Sequence, residues 1–131
     1  MSEHAGPVQP PIIEKPWGSE VLFAAVEGCY AGKIITLHGG HAVSLQRHRS
    51  KTETIIVISG RLQVELGDQV DGLQRHELEP GTSVHVPALM LHRFTALVDT
   101  RFVEVSTADA GWETDVERLE DRYGRTGTSR P

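Results

Sequence analysis

Short apolar runs separated by turn residues dominate the middle of the chain. They fall at 33–37, 43–46, 54–59, 61–66, 83–86, 93–97 and 101–106, and each is rich in Val, Ile, Leu or Thr, as half-buried strands are. Between them stand Ser59-Gly60, Gly67-Asp68 and Pro80-Gly81, tight reversals at the spacing of a sandwich or barrel. No stretch sustains the period of a long helix. The pattern predicts one antiparallel all-β domain, and closure into a jelly-roll barrel would hide its sheet edges.

The ends read differently. Residues 1–11 carry Pro7, Pro10 and Pro11 with little apolar content and are expected to form a flexible, extended N-terminal arm. Residues 12–125 form the expected domain, and the small polar residues 126–131 an expected disordered tail. Within TDVERLEDRYGR, Thr114 and Glu117 have capping-box spacing, which predicts a short C-terminal helix or extension ending near Gly124.

Bulk properties narrow the function classes. A chain of 131 residues supports one core rather than two. A net charge of -5 argues against a nucleic-acid partner, since phosphate neutralisation needs concentrated basic surface. No apolar run reaches the length of a membrane span, and the N-terminus lacks a basic start followed by an apolar run. The expected location is cytoplasmic. Cys29 is the single cysteine, so no intramolecular disulfide forms and a thiol mechanism is disfavoured.

The polar residues beside the strands carry the candidate chemistry. Gln46 and His48 are two apart and face the same side of an extended segment. After a reversal through 49–52, Glu53 opens the next apolar strand and can face back toward them. His92 opens the strand that follows Pro87 and can bring an imidazole into the same interior. Such nitrogen and oxygen donors suit Zn²⁺, Mn²⁺, Fe²⁺ or Ni²⁺, and coordination would offset the cost of placing polar groups in a barrel. The alternative is that Gln46 and Glu53 are solvated and that His48 and His92 are two ordinary members of a set of seven histidines.

The run GHAVSLQRHRSKTETIIVISG, residues 40–60, resembles the first cupin motif: glycine, five residues, a ligand, one residue, histidine, four residues, glutamate, six residues, glycine. GTSVHVPALMLH, residues 81–92, resembles the second, with Leu89 where a glycine is usual and Ala96 where an asparagine is usual. EKPWGSE, the 33–37 strand, SLQ, His92-Arg93 and RLEDRYGR extend the similarity to the isomerase domain of bacterial type II mannose-6-phosphate isomerases.

That resemblance implies a single-domain cupin with Gln46, His48, Glu53 and His92 around a divalent metal, commonly zinc. It further implies Lys33 and Arg93 as catalytic contacts. The RLEDRYGR segment offers Arg118 and Arg122, with Arg125 beside them, as substrate-binding cations, because guanidinium matches phosphate oxygens; a dimer-docking role is the alternative. The expected reaction is aldose–ketose isomerisation of a sugar phosphate, mannose 6-phosphate to fructose 6-phosphate in type, through an enediolate. Two other readings stay open: a non-heme iron oxygenase using His48, Glu53 and His92, or a non-catalytic sugar- or metabolite-binding module. A homodimer is expected from the fold. STADAGWETDVE, residues 106–117, departs from the family, which tends to have a glutamine and a glycine-aromatic pattern there.

Overall fold

A computed structural model of the protein describes residues 5–127. Eleven strands form two antiparallel sheets: β1 (Ile12–Lys15), β2 (Gly18–Val26), β3 (Tyr30–Leu37), β4 (Leu45–Arg47), β5 (Glu53–Ser59), β6 (Leu62–Gly67), β7 (Gln74–Leu78), β8 (Ser83–Val86), β9 (Leu91–Ala96), β10 (Thr100–Thr107) and β11 (Glu117–Glu120). One sheet has the order β1-β2-β3-β10-β5-β8 and the other β11-β4-β9-β6-β7. Two layers of this kind pack their alternating inner faces together as a jelly roll. The expected all-β jelly-roll barrel is the observed fold.

Each inner face changes character along its strands. On β10 the buried inward residues run Phe102, Glu104, Ser106; on β5 they run Val57, Ile55, Glu53; on β9 they run Ala96, Phe94, His92. One end of the barrel is therefore closed by an apolar core that includes Leu37, Val57, Leu62, Val64, Phe94 and Phe102. The other end is lined by charge. Registers bring the change into line: Phe102 pairs with Ile35 and Glu104 with Lys33 across β10 and β3.

Several elements differ from the sequence pattern. β7, QRHEL, is exposed except at Leu78 and exists by pairing with β6, not by any apolar alternation of its own. The C-terminal segment takes the form of an extension, not a helix. Gly111, at φ 82°, leads into a single 3-10 turn, Trp112–Thr114, and the chain then adds β11 to β4. The edge of β4 offers unpaired backbone groups, and satisfying them outweighs the local capping signal, whose Thr114 Oγ1 donates instead to Gly111 O at 3.3 Å. Residues 5–11 contain no strand or helix. Residues 1–4 of the expected arm and 128–131 of the expected tail lie outside the described residues.

Candidate metal centre

His48, Glu53 and His92 meet at the charged end of the barrel. Their relative exposures are 5%, 2% and 0%, and one ligand atom from each lies within 4.8 Å of the others. His92 Nε2 is 3.1 Å from Glu53 Oε1, and His48 Nε2 is 3.8 Å from Glu53 Oε2. Despite the short approach, these contacts are not aligned as hydrogen bonds: both imidazole Nε2 atoms and both Glu53 oxygens are buried without a hydrogen-bond partner. Leaving such groups unsatisfied costs about 1–3 kcal/mol each. Donors spaced about 3.4 Å apart surround a tetrahedral ion at bond lengths of about 2.1 Å, so the spacing fits a divalent metal.

The other ring nitrogens support that fit. His48 Nδ1 lies 2.6 Å from Asp115 O, and His92 Nδ1 lies 3.0 Å from Met90 O. A carbonyl can only accept, so each Nδ1 carries a proton and each Nε2 is the ring atom turned toward the cluster, where its lone pair serves a metal once the ring is neutral. For His92 burial opposes the charged form, but the Glu53 carboxylate outweighs it and raises the pKa, so an ion would displace a proton there. Burial pushes His48 down to about 4, against the raising effect of Glu53. It is neutral at pH 7, the state a metal ligand needs.

Gln46 stands directly opposite His92 in the β4–β9 pair and lines the cavity above the cluster. Its Oε1 accepts a hydrogen bond from Ser44 Oγ at 2.8 Å. That bond orients the amide, and an oxygen with two lone pairs retains capacity for another partner.

Beside the cluster lie two sets of ion pairs that the sequence did not reveal, one buried around Lys51 and one partly buried at Lys33. Lys51 Nζ lies 3.4 Å from Glu53 Oε2 and 3.5 Å from Glu104 Oε2, and Lys33 Nζ lies 3.3 Å from Glu20 Oε2. Burial works against the Lys51 charge, but Glu104 and Glu53 together hold its pKa above the usual lysine value. For Glu53 burial is likewise overcome, by His92 and Lys51, and its pKa is lowered. Glu104 behaves oppositely: burial, then the Glu53 charge, raise its pKa despite Lys51. Lys33 Nζ also lies 5.8 Å from the Trp112 ring centroid, within cation–π range. Glu20, Lys33, Lys51, Glu104 and Trp112, with Lys15, Trp17, Asp115 and Arg118, wall a cavity of about 90 Å³.

Two expected site residues lie elsewhere. Arg93 follows His92 on β9, so strand alternation turns it to the outer face; its Nε bonds Glu65 Oε1 at 3.0 Å, and its Nη1 is 3.5 Å from Glu120 Oε1. Arg122 follows β11 and donates from Nη1 to Gly40 O at 2.8 Å. Both line a separate surface hollow with Val43, Glu120 and Asp121. Arg118 is different. It is buried, pairs with Gln46 across β11 and β4, and reaches the cavity wall, as does Arg125.

Residues 9–121 match the family model described as mannose-6-phosphate isomerase C-terminal. The chain belongs to that family. It is 34% identical over 118 residues to the alginate biosynthesis protein AlgA of Pseudomonas aeruginosa, covering 87% of this chain and 23% of that one. It is 30% identical over 115 residues to the mannose-1-phosphate guanylyltransferase ManC of Salmonella typhimurium, covering 86% and 23%. The chain thus spans about a quarter of the length of these relatives. Its fold is that of the cupins; oxalate decarboxylase of Bacillus subtilis superposes with a TM-score of 0.73 at 17% identity, over 84% of this chain and 30% of that one. Among the described residues no helix is long and apolar enough to cross a membrane.

Proposed function

We propose that the protein is a metal-dependent aldose–ketose isomerase of a phosphorylated sugar, with mannose 6-phosphate and fructose 6-phosphate the first pair to test. The observation that carries the proposal is the convergence of His48, Glu53 and His92 donor atoms, buried without hydrogen-bond partners, beside a cavity whose wall holds both cations, among them Lys33 and Arg118, and the carboxylates Glu20 and Glu104. The family's description supplies the sugar class, and ManC, named for mannose 1-phosphate, is consistent with it.

His48, Glu53 and His92 hold the ion in this reading, with Gln46 as fourth donor, and zinc is the first candidate. A bound divalent ion supplies Lewis-acid polarisation of a carbonyl and its neighbouring hydroxyl. The chain's own residues do the rest. Lys33 and Arg118, on the cavity wall, orient an anionic sugar phosphate. Glu104, whose pKa burial raises and which Lys51 contacts, is the side chain best suited to take and return a proton between adjacent carbons. Trp17 and Trp112 give the wall its apolar faces.

The test is an isomerase assay on zinc-loaded protein with several aldose phosphates, repeated for Glu104→Gln. The proposal expects turnover that falls at least a hundredfold in the variant, within the usual contribution of a general base. Absence of turnover with every sugar phosphate would overturn it.

The same three ligands form a two-histidine, one-carboxylate set, which favours one alternative, an iron oxygenase. Oxygen consumption by the Fe²⁺-loaded protein, without sugar interconversion, is its signature.

A further inference from the structure

Asp115 occupies the junction of three parts of the site. Its carboxylate accepts the backbone N–H groups of Arg49 at 2.7 Å, Ser50 at 2.9 Å and Lys51 at 3.0 Å. Its carbonyl oxygen is the partner of His48 Nδ1. The loop so gathered links His48 to Glu53 and delivers Lys51 to the buried pairs. Asp115 also lies between Trp112 and Arg118 on the segment that walls the cavity.

The two histidines differ in how their orientation is set. His92 bonds a carbonyl two residues away on its own stretch of chain, whereas His48 bonds one that is 67 residues distant. His92 is therefore fixed locally, and His48 only when the 111–116 segment docks. A carboxylate gathering successive backbone N–H groups is a strong, charge-assisted anchor for that docking. Burial disfavours its ionised form, but the Ser50, Arg49 and Lys51 amides outweigh this and keep the carboxyl below its ordinary value.

We propose that Asp115 is the positioning residue of the metal centre: its side chain holds the loop between two ligands while its carbonyl locks His48 as the Nδ1–H tautomer. The inference rests on the metal reading of the site. It predicts that losing the carboxylate weakens metal binding without touching a ligand. Partners behind a ligating histidine change metal affinity by about 10–100-fold when lost, and that range is expected here.

The experiment compares wild type with Asp115→Asn and Asp115→Ala, using Zn²⁺ titration against a competing chelator and ¹⁵N-histidine spectra of metal-free protein. Asp115→Asn keeps the shape but presents an amide group to N–H donors that need acceptors. The expected result is a His48 proton on Nδ1 in wild type, with mixed tautomers and 10–100-fold weaker zinc binding in the variants. Asp99→Ala is the structural control: Asp99 accepts Gly39 N–H at 2.8 Å and lines no part of the cavity, so its loss should lower the melting temperature and leave zinc affinity unchanged. Asp115 variants that bind zinc within twofold of wild type and keep one His48 tautomer would overturn the inference alone. So would a wild-type His48 protonated at Nε2, a result that needs no variant to fold. Wild-type protein that binds no zinc would instead remove the metal reading, and the inference with it.

Discussion

Replacing Lys51 with methionine isolates the energetic core of the site. Lys51 is 8% exposed and sits between Glu53 and Glu104, 3.4 Å and 3.5 Å from their carboxylate oxygens. At an effective dielectric of about 20, each contact has a gross attraction of roughly 5 kcal/mol. Much of that is spent on desolvation, and removing one partner of a buried pair typically costs about 3–5 kcal/mol because the other charge remains buried. For a domain of this size that corresponds to a fall in melting temperature of about 10–20 °C. The loss must depend on pH. The pKa of Glu104 is already raised by burial and by Glu53, so its contribution is fully present below the unfolded carboxylate value and is lost as pH rises through the folded one. Without Lys51 the folded value rises further. Denaturant unfolding of metal-free Lys51→Met should therefore show a larger deficit against wild type at pH 8 than at pH 5. A deficit below about 1 kcal/mol, equal at both pH values, is what exposed ion pairs give and would refute the argument that Lys51 bridges two buried carboxylates.

Other perturbations separate further parts of the account. Leu89 has φ 72° and is 60% exposed; relieving left-handed strain of about 1–2 kcal/mol, less about 0.5–1 kcal/mol for glycine's unfolded-state entropy, Leu89→Gly should stabilise by about 0.5–1 kcal/mol in equilibrium unfolding. Arg93→Ala should leave sugar-phosphate turnover within about threefold, since its partners are Glu65 and Glu120, whereas Lys33→Ala should lower kcat/KM at least tenfold, or about 1.4 kcal/mol; equal effects would mean that the two lysine and arginine positions have been wrongly separated. Burial opposes the ionised form of Asp121, but Arg125 holds its pKa below the ordinary value. Its stabilisation is thus present above the unfolded value and lost as pH falls through the folded one, so Asp121→Asn should show a shallower acid limb in thermal melts between pH 5 and 2.

The strands that carry the metal cluster were legible because their apolar alternation also fixes where polar residues point. β5 reads inward at Glu53, Ile55 and Val57, and the same period places Gln46 and His48 together. That period also argues against Arg93 as a cavity residue: an arginine next to an inward histidine on one strand must face out. The ion pairs beside the cluster were hidden for another reason. Glu20, Lys33 and Glu104 are each ordinary charged residues on separate strands, and only the β2–β3–β10 pairing turns them toward one cavity. The sequence left the C-terminal segment open between helix and extension because TDVE has a helix-start pattern, while its actual form as β11 depends on the distant edge of β4. The importance of Asp115 follows from that docking, so nothing local to DVE signals it. Leu89 shows the converse: it holds a left-handed conformation, φ 72°, where the motif it resembles usually has a glycine, the residue that takes such a conformation without steric cost.

The metal content of purified protein, followed by calorimetric Zn²⁺ titration of wild type, Glu53→Gln and His92→Ala, tests the central claim most directly. The account predicts one tightly bound ion per wild-type chain, and loss of that ion in both variants while the far-ultraviolet dichroism of the β-barrel persists. Wild-type protein that takes up no ion, or variants that bind it as tightly as wild type, would contradict the shared centre of His48, Glu53 and His92.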